Sequence, residues 1–143
     1  DVRESFALGN VAGSNKIGGF VGITNEEGKI VDSYARGATS GTDQVGGFAG
    51  AAVETSSIKR SYSTGLVSGT TNKGGFLGFR ESNNVNLVKN YWDIQTSGMG
   101  NSAGGNEVQG KTTTEMRMQA TFVSWDFTDI WNIVENQGYP FLR

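Results

Sequence analysis

The sequence predicts a mainly β fold: a β-solenoid, expected as a right-handed parallel β-helix, of about three 28-residue coils with a small C-terminal α+β cap. Three observations carry this expectation. First, Gly18-Gly19-Phe20-Val21-Gly22 recurs 28 residues on as Gly46-Gly47-Phe48-Ala49-Gly50, and again as Gly74-Gly75-Phe76-Leu77-Gly78. Second, Ser5-Phe6-Ala7-Leu8-Gly9 returns with the same step as Ser33-Tyr34-Ala35-Arg36-Gly37 and Ser61-Tyr62-Ser63-Thr64-Gly65, then altered as Asn90-Tyr91-Trp92-Asp93. A fixed period of this length marks a repeat architecture. Third, the apolar runs are short (Phe20-Val21, Ile30-Val31, Phe76-Leu77, Leu87-Val88) and lie between Gly, Asn, Ser or Thr clusters, as strands bounded by turns do.

Residues 1–98 form the repeats. Helical repeats need apolar residues at helical spacing, and stretches such as Val67 to Gly75 are poor helix material, rich in glycine and β-branched residues. Three strands of about four or five residues with three corners use up one 28-residue coil. Phe20, Phe48 and Phe76 are then expected to form one internal aromatic stack. Phe6, Tyr34, Tyr62 and Tyr91 form a second, where the Phe/Tyr exchange places the hydroxyl near solvent. Ile30, Ile58 and Leu87 give an aliphatic row. Repeated glycines suit corners of positive φ or close backbone approach. Rows in which Val31 becomes Lys59, or Ile17 and Val45 become Lys73, are expected outside or at the rim. A one-residue insertion follows Gly69, because the matching glycine is Gly98.

Beyond Gly98 the period stops. Residues 99–111 read as a glycine-rich linker. Residues 112–143 read as a capping segment folded over the solenoid end, where unpaired strands and rings would otherwise be bare. Thr112 and Glu115 have capping-box spacing, and Met116, Ala120 and Val123 predict one short helix near 113–121. Ile130 to Val134 alternates as a strand, and the cap is assigned to Trp125, Phe127, Trp131, Tyr139 and Phe141.

Composition removes several functions. The chain has no histidine and no cysteine, hence no Ser-His-Asp triad, no cysteine nucleophile, no imidazole or thiolate zinc site and no disulfide. A net charge of −2 argues against nucleic acid as partner. No apolar run is long enough to insert in a membrane, and the opening Asp1-Val2-Arg3 reads as part of a longer protein.

Carboxylates remain as candidates for chemistry. A catalytic cluster should place acids at matching positions of adjacent coils, yet the row Asp32, Arg60, Lys89 changes sign, as a solvated face with cross-coil ion pairs does. Asn25-Glu26-Glu27-Gly28 has the look of a turn, with weak calcium binding the alternative. Asp126 and Asp129, beside tryptophan, suit turn capping better than a sugar-cleaving pair. Thr39 matched by Val67 spoils the regular threonine array of an ice-binding face. Gly-Gly-Phe-x-Gly lacks the Lys-Ser/Thr of a phosphate loop.

The repeated Gly-Gly-Phe-x-Gly with Ser-Tyr-Ala-x-Gly resembles the GLUG motif, a glycine-rich repeat of secreted and surface-bound bacterial proteins. The tail, with Tyr91-Trp92-Asp93, Trp125-Asp126-Phe127 and Trp131-Asn132-Ile133, is similar to the segment that often closes such arrays. The resemblance implies an extracellular or bacterial cell-surface repeat module of the kind found in haemagglutinin-like adhesins and beside immunoglobulin-A-cleaving metallopeptidases. It transfers no catalytic residue and no cofactor. The expected role is therefore a non-catalytic stalk or adhesin surface whose partners are a host glycan or protein, or neighbouring repeats. The alternatives are an accessory domain of a secreted peptidase or glycosidase, and a self-stacking filament subunit.

Overall fold

In the computed structural model, which describes all 143 residues, the chain winds into a parallel β-helix of about three coils. Each coil holds five short strands rather than the three longer ones expected, because glycine and turn residues interrupt the backbone every few positions. The strands stack into five parallel sheets. One is built of Val2–Arg3, Lys29–Val31, Ser57–Lys59 and Asn86–Val88, with Ile30 paired to Ile58 and Ile58 to Leu87. The next contains Phe6–Ala7, Tyr34–Ala35, Tyr62–Ser63 and Asn90–Asp93. The inserted residue falls in the turn before Asn86: Ala52 pairs with Arg80, whereas Ser57 pairs with Asn86.

The doubled glycines explain the stacking. A Cβ on Gly19 would collide with the Gly47 carbonyl, one on Gly47 with the Gly75 carbonyl, and one on Gly75 with the Trp92 indole. These glycines are needed for close approach, not for positive φ. The left-handed corners fall instead on polar residues in matching columns: Glu4, Asp32, Arg60 and Lys89 at φ between 45° and 53°, and Lys16, Gln44 and Asn72 between 44° and 56°. Each such residue costs about 1–2 kcal/mol relative to the right-handed region, which the stacked ladders on either side offset.

Inside the coils, Phe20, Phe48 and Phe76 stack at centroid distances of 4.8 and 4.7 Å with planes 4° apart. Phe48 and Ala49 both donate their N–H to the Phe76 carbonyl, and Phe20 and Val21 do the same to Phe48. This local bulge turns two successive side chains inward, so Ala49 and Leu77 join the phenylalanines in the core despite adjacency in sequence. Ile30, Ile58 and Leu87 complete that core. The row Ile17, Val45, Lys73 departs from its expected outward place. Val45 is fully buried in a smaller cluster with Val67 and Met99, against which Ile17 packs, and only Lys73 is exposed. Thr39 is likewise buried beside this seam.

The C-terminal end is closed by the segment read as a linker. Asn101 O accepts the Gly75 N–H, Ser102 Oγ accepts those of Phe76 and Leu77, and Ala103 donates to Leu77 O. Val108–Lys111 then adds as a parallel strand to Asn90–Asp93, and Val108 enters the core. A flexible chain would leave those strand-edge groups unpaired, so residues 99–111 are an ordered plug. Trp92 ends the small column of Ala7, Ala35 and Ser63 by filling the cross-section, its Nε1 donating to Met99 O at 2.8 Å.

Residues 112–143 do not lie over that end. They run along the flank of the coils, against the outward face of Tyr34, Tyr62 and Tyr91. The helix expected near 113–121 is two 3₁₀ turns, Glu115–Arg117 and Gln119–Thr121, separated by an extended Met118. Met116 and Phe122 both pack on the tyrosines, and an α-helix would set residues six apart about 240° from one another. Val123, expected on the apolar face, is 54% exposed. The capping box does form: Thr112 N–H donates to Glu115 Oε2 and Glu115 N–H to Thr112 Oγ1. The Ile130 to Val134 strand shrinks to Trp131–Asn132, paired antiparallel with Phe141–Leu142.

The repeat supplies its own control for coil contact. A Cβ on Gly37 or Gly65 would meet the carbonyl of Gly9 or Gly37, while one on Gly9 meets nothing within 4 Å. Gly37→Ala or Gly65→Ala is expected to lower stability by about 1–3 kcal/mol, and Gly9→Ala to change it by less than about 0.5 kcal/mol, measured by urea unfolding. Equal effects at the three glycines would contradict close axial stacking.

Candidate functional site

The flank where the tail meets the tyrosine column is the most elaborated part of the molecule. Phe6, Tyr34 and Tyr62 stack at 5.2 and 5.1 Å, as the period predicts. This stack is outside the core, however, and the Tyr62 hydroxyl does not reach solvent. Tyr62 is fully buried; its hydroxyl donates to Pro140 O and accepts from Arg36 Nε and Nη2 at 3.0 and 2.6 Å. Arg36 Nη2 also donates to Pro140 O at 2.9 Å, and the guanidinium lies 4.7 Å from the Tyr34 ring centroid. Phe6, at the far end of the column, has no tail above it and remains 56% exposed.

Of the five residues assigned to the cap, four meet on this flank. Trp131 is fully buried, 4.5 Å from Trp125 and 6.1 Å from both Tyr34 and Tyr62 between centroids. Phe127 and Tyr139 pack around them, whereas Leu142 rather than Phe141 turns onto the cluster, since strand alternation sends neighbours to opposite faces. Phe122 and Met116, which carried no repeat signal, complete it.

Two buried carboxylates lock tail to coils. Asp32 accepts Arg60 Nε and Nη2, both at 2.7 Å, and the Trp131 Nε1–H at 3.3 Å. The cross-coil pairing expected of that row is thus a bidentate pair, largely buried on the acid side. Asp93 Oδ1 caps the short helix Ile94–Ser97 by accepting from Gln95 and Thr96, while Oδ2 accepts the Thr113 and Tyr139 hydroxyls at 2.7 and 2.8 Å. Sequence motifs alone did not reveal Asp93 or Arg36; their only signal was a break in a column, Arg36 between Leu8 and Thr64.

Three further acids hold backbone groups. Asp126 Oδ1 accepts the Thr128 and Asp129 N–H groups, which hold its carboxyl below the usual range. Glu54 Oε2 accepts the Glu26 N–H and Glu81 Oε2 the Glu54 N–H, a ladder from coil to coil at the Asn25-to-Gly28 turn. No three acidic side chains converge so as to hold a metal ion. Directly after the Glu ladder's turn, the sheet beginning with Val2–Arg3 forms a groove of about 330 Å³ lined by Arg3, Lys29, Lys59 and Arg60. No helix is long and apolar enough to cross a membrane. The chain matches no family model, and no curated protein or solved structure matches it.

Burial holds the Tyr62 hydroxyl protonated well above its ordinary range, and raises Tyr91 and Tyr139 in the same sense. In the unfolded chain these groups ionise near pH 10. Their contribution is therefore intact below about pH 10 and lost as pH rises beyond it. Tyr62→Phe is expected to lower stability by about 1–2 kcal/mol at pH 7 while flattening the alkaline loss, followed by tryptophan fluorescence against urea at each pH. Asp93→Ala, which strands two hydroxyls and the helix N-terminus, is expected to cost about 3 kcal/mol; a change under about 0.5 kcal/mol would contradict its bridging role.

Proposed function

We propose that the chain is a non-catalytic repeat module of a bacterial cell-surface or secreted protein, a stiff stalk that presents its outward columns as a contact surface. The observation that carries this reading is the continuous axial stacking. Rings repeat at 4.7 to 5.2 Å along two columns, and side chains bond backbone one coil away, as Ser5, Ser33 and Ser61 N–H do with Ser33 Oγ, Ser61 Oγ and Asn90 Oδ1. Such one-dimensional contact makes a rod, and the polar exterior is free to vary without disturbing it. The resemblance of the repeated Gly-Gly-Phe-x-Gly and Ser-Tyr-Ala-x-Gly to the GLUG motif supports the extracellular setting, with a host glycan or protein as partner.

A second reading, end-to-end stacking of coils, is favoured by the first coil. Its strands are paired on one edge only, and Val2, Phe6, Leu8 and Ile23 are 42, 56, 56 and 36% exposed. That edge offers a parallel template to a neighbouring repeat or a second copy.

Protease treatment and antibody labelling of intact producing cells test the first reading. Labelling of unpermeabilised cells, lost on shaving, is the expected result. Confinement to the cytosol, or hydrolysis of a glycan or peptide that disappears with Asp126→Asn, would overturn it.

A further inference from the structure

The groove on the Val2–Arg3 sheet departs from the electrostatics of the rest of the chain. Net charge is −2, yet four of the twelve basic side chains, Arg3, Lys29, Lys59 and Arg60, line this single depression. Only Arg60 is fully neutralised, by Asp32; Arg3 meets Asp1 loosely at 3.6 Å with both side chains half exposed. Lys29 and Lys59 have no carboxylate within ion-pair distance. The lining itself therefore carries unpaired positive charge, with the Glu26, Glu54 and Glu81 ladder along the turn at one end of the groove.

The arrangement follows from coil geometry. Arg3, Val31, Lys59 and Val88 form one outward column, in register. Adjacent strands lie about 4.8 Å apart, so Arg3 and Lys59 are spaced by two rises, about 9.6 Å, with buried Val31 as floor between them. Lys29, Ser57 and Asn86 form the second outward column, one pleat along. Cations thus recur along the rod axis across three coils, too far apart to converge on one small anion. Thr55, Ser57 and Asn86 place neutral hydroxyl and amide groups among them. No aromatic ring lines the groove to stack a base, and no exposed apolar side chain lines it to enter a bilayer.

We infer that this groove binds a linear anionic polysaccharide, with Lys29, Lys59 and Arg3 meeting carboxylate or sulfate groups and Thr55 and Asn86 meeting sugar hydroxyls. Arg60 positions the groove wall through Asp32 and is not assigned a ligand contact. The inference rests on the reading of the module as an extracellular contact surface, and it names the ligand class for that surface.

The test is titration of the full chain with polygalacturonate, dextran sulfate, neutral dextran and a short DNA duplex, at about 50 and about 200 mM salt. The expected result is binding of an acidic polysaccharide that weakens severalfold at the higher salt, with no binding of dextran and weaker binding of DNA. Combined Lys29→Gln and Lys59→Gln is expected to weaken it at least about tenfold with an unchanged urea midpoint. Combined Lys16→Gln and Lys73→Gln, exposed lysines outside the groove, should leave it unchanged. Failure of both acidic polymers to bind, equal or tighter binding of DNA, or equal loss in the Lys16/Lys73 variant would overturn the assignment. Cell-surface labelling in the absence of polymer binding would remove the groove assignment alone; a cytosolic location would remove the reading beneath it.

Discussion

The contact between backbone and backbone at Gly19, Gly47 and Gly75 governs everything else in this molecule. Where no Cβ fits between successive coils, the coils sit directly over one another, and the cross-coil bonds of Glu54, Glu81 and the Asp32–Arg60 pair outside reinforce that register. The phenylalanine stack, the inward Ile30, Ile58 and Leu87 row and the paired strands all inherit that alignment. Aromatic pairs at this spacing add about 0.5–1.5 kcal/mol each beyond their burial, but their geometry is a consequence of the glycines and not its cause.

The second aromatic column does different work. Phe6, Tyr34, Tyr62 and Tyr91 face away from the core, and the tail converts the three tyrosines of this external ladder into a buried interface. Burying charge there is tolerable because each polar group finds several partners. Asp32 takes a bidentate guanidinium and an indole N–H, and Asp93 takes two backbone and two hydroxyl donors. The tail therefore braces the strands of Tyr34, Tyr62 and Tyr91 laterally, while the shorter segment from Met99 to Lys111 seals the C-terminal end of the coils.

Period and ring identity were enough to read the coils, because a repeat reports on the same environment several times in one chain. Phe20, Phe48 and Phe76 could be placed in one stack for that reason. Environments that occur once carry no such redundancy. The strand Val108–Lys111 has the composition of a linker, and only the unpaired edge of Asn90–Asp93 makes it a strand. Glu115 to Thr121 has helical spacing, yet tertiary contact of Met116 and Phe122 with the tyrosines overrides it. Outward and inward columns were hard to separate because the Phe48–Ala49 bulge breaks strict alternation, and because Val45 found a second apolar seam. The basic groove was hidden for another reason: Arg3, Lys29 and Lys59 are scattered in sequence and gather only when the coil pitch superimposes them.

Trp92 bears on how such a molecule changes over time. Small residues occupy its column in the earlier coils, and the indole consumes the space that another turn would need. Elongation past that point would require rebuilding the closing segment, whereas duplicating an internal unit disturbs no terminus. A lineage could thus lengthen its reach by copying whole repeats upstream of an unaltered stopper.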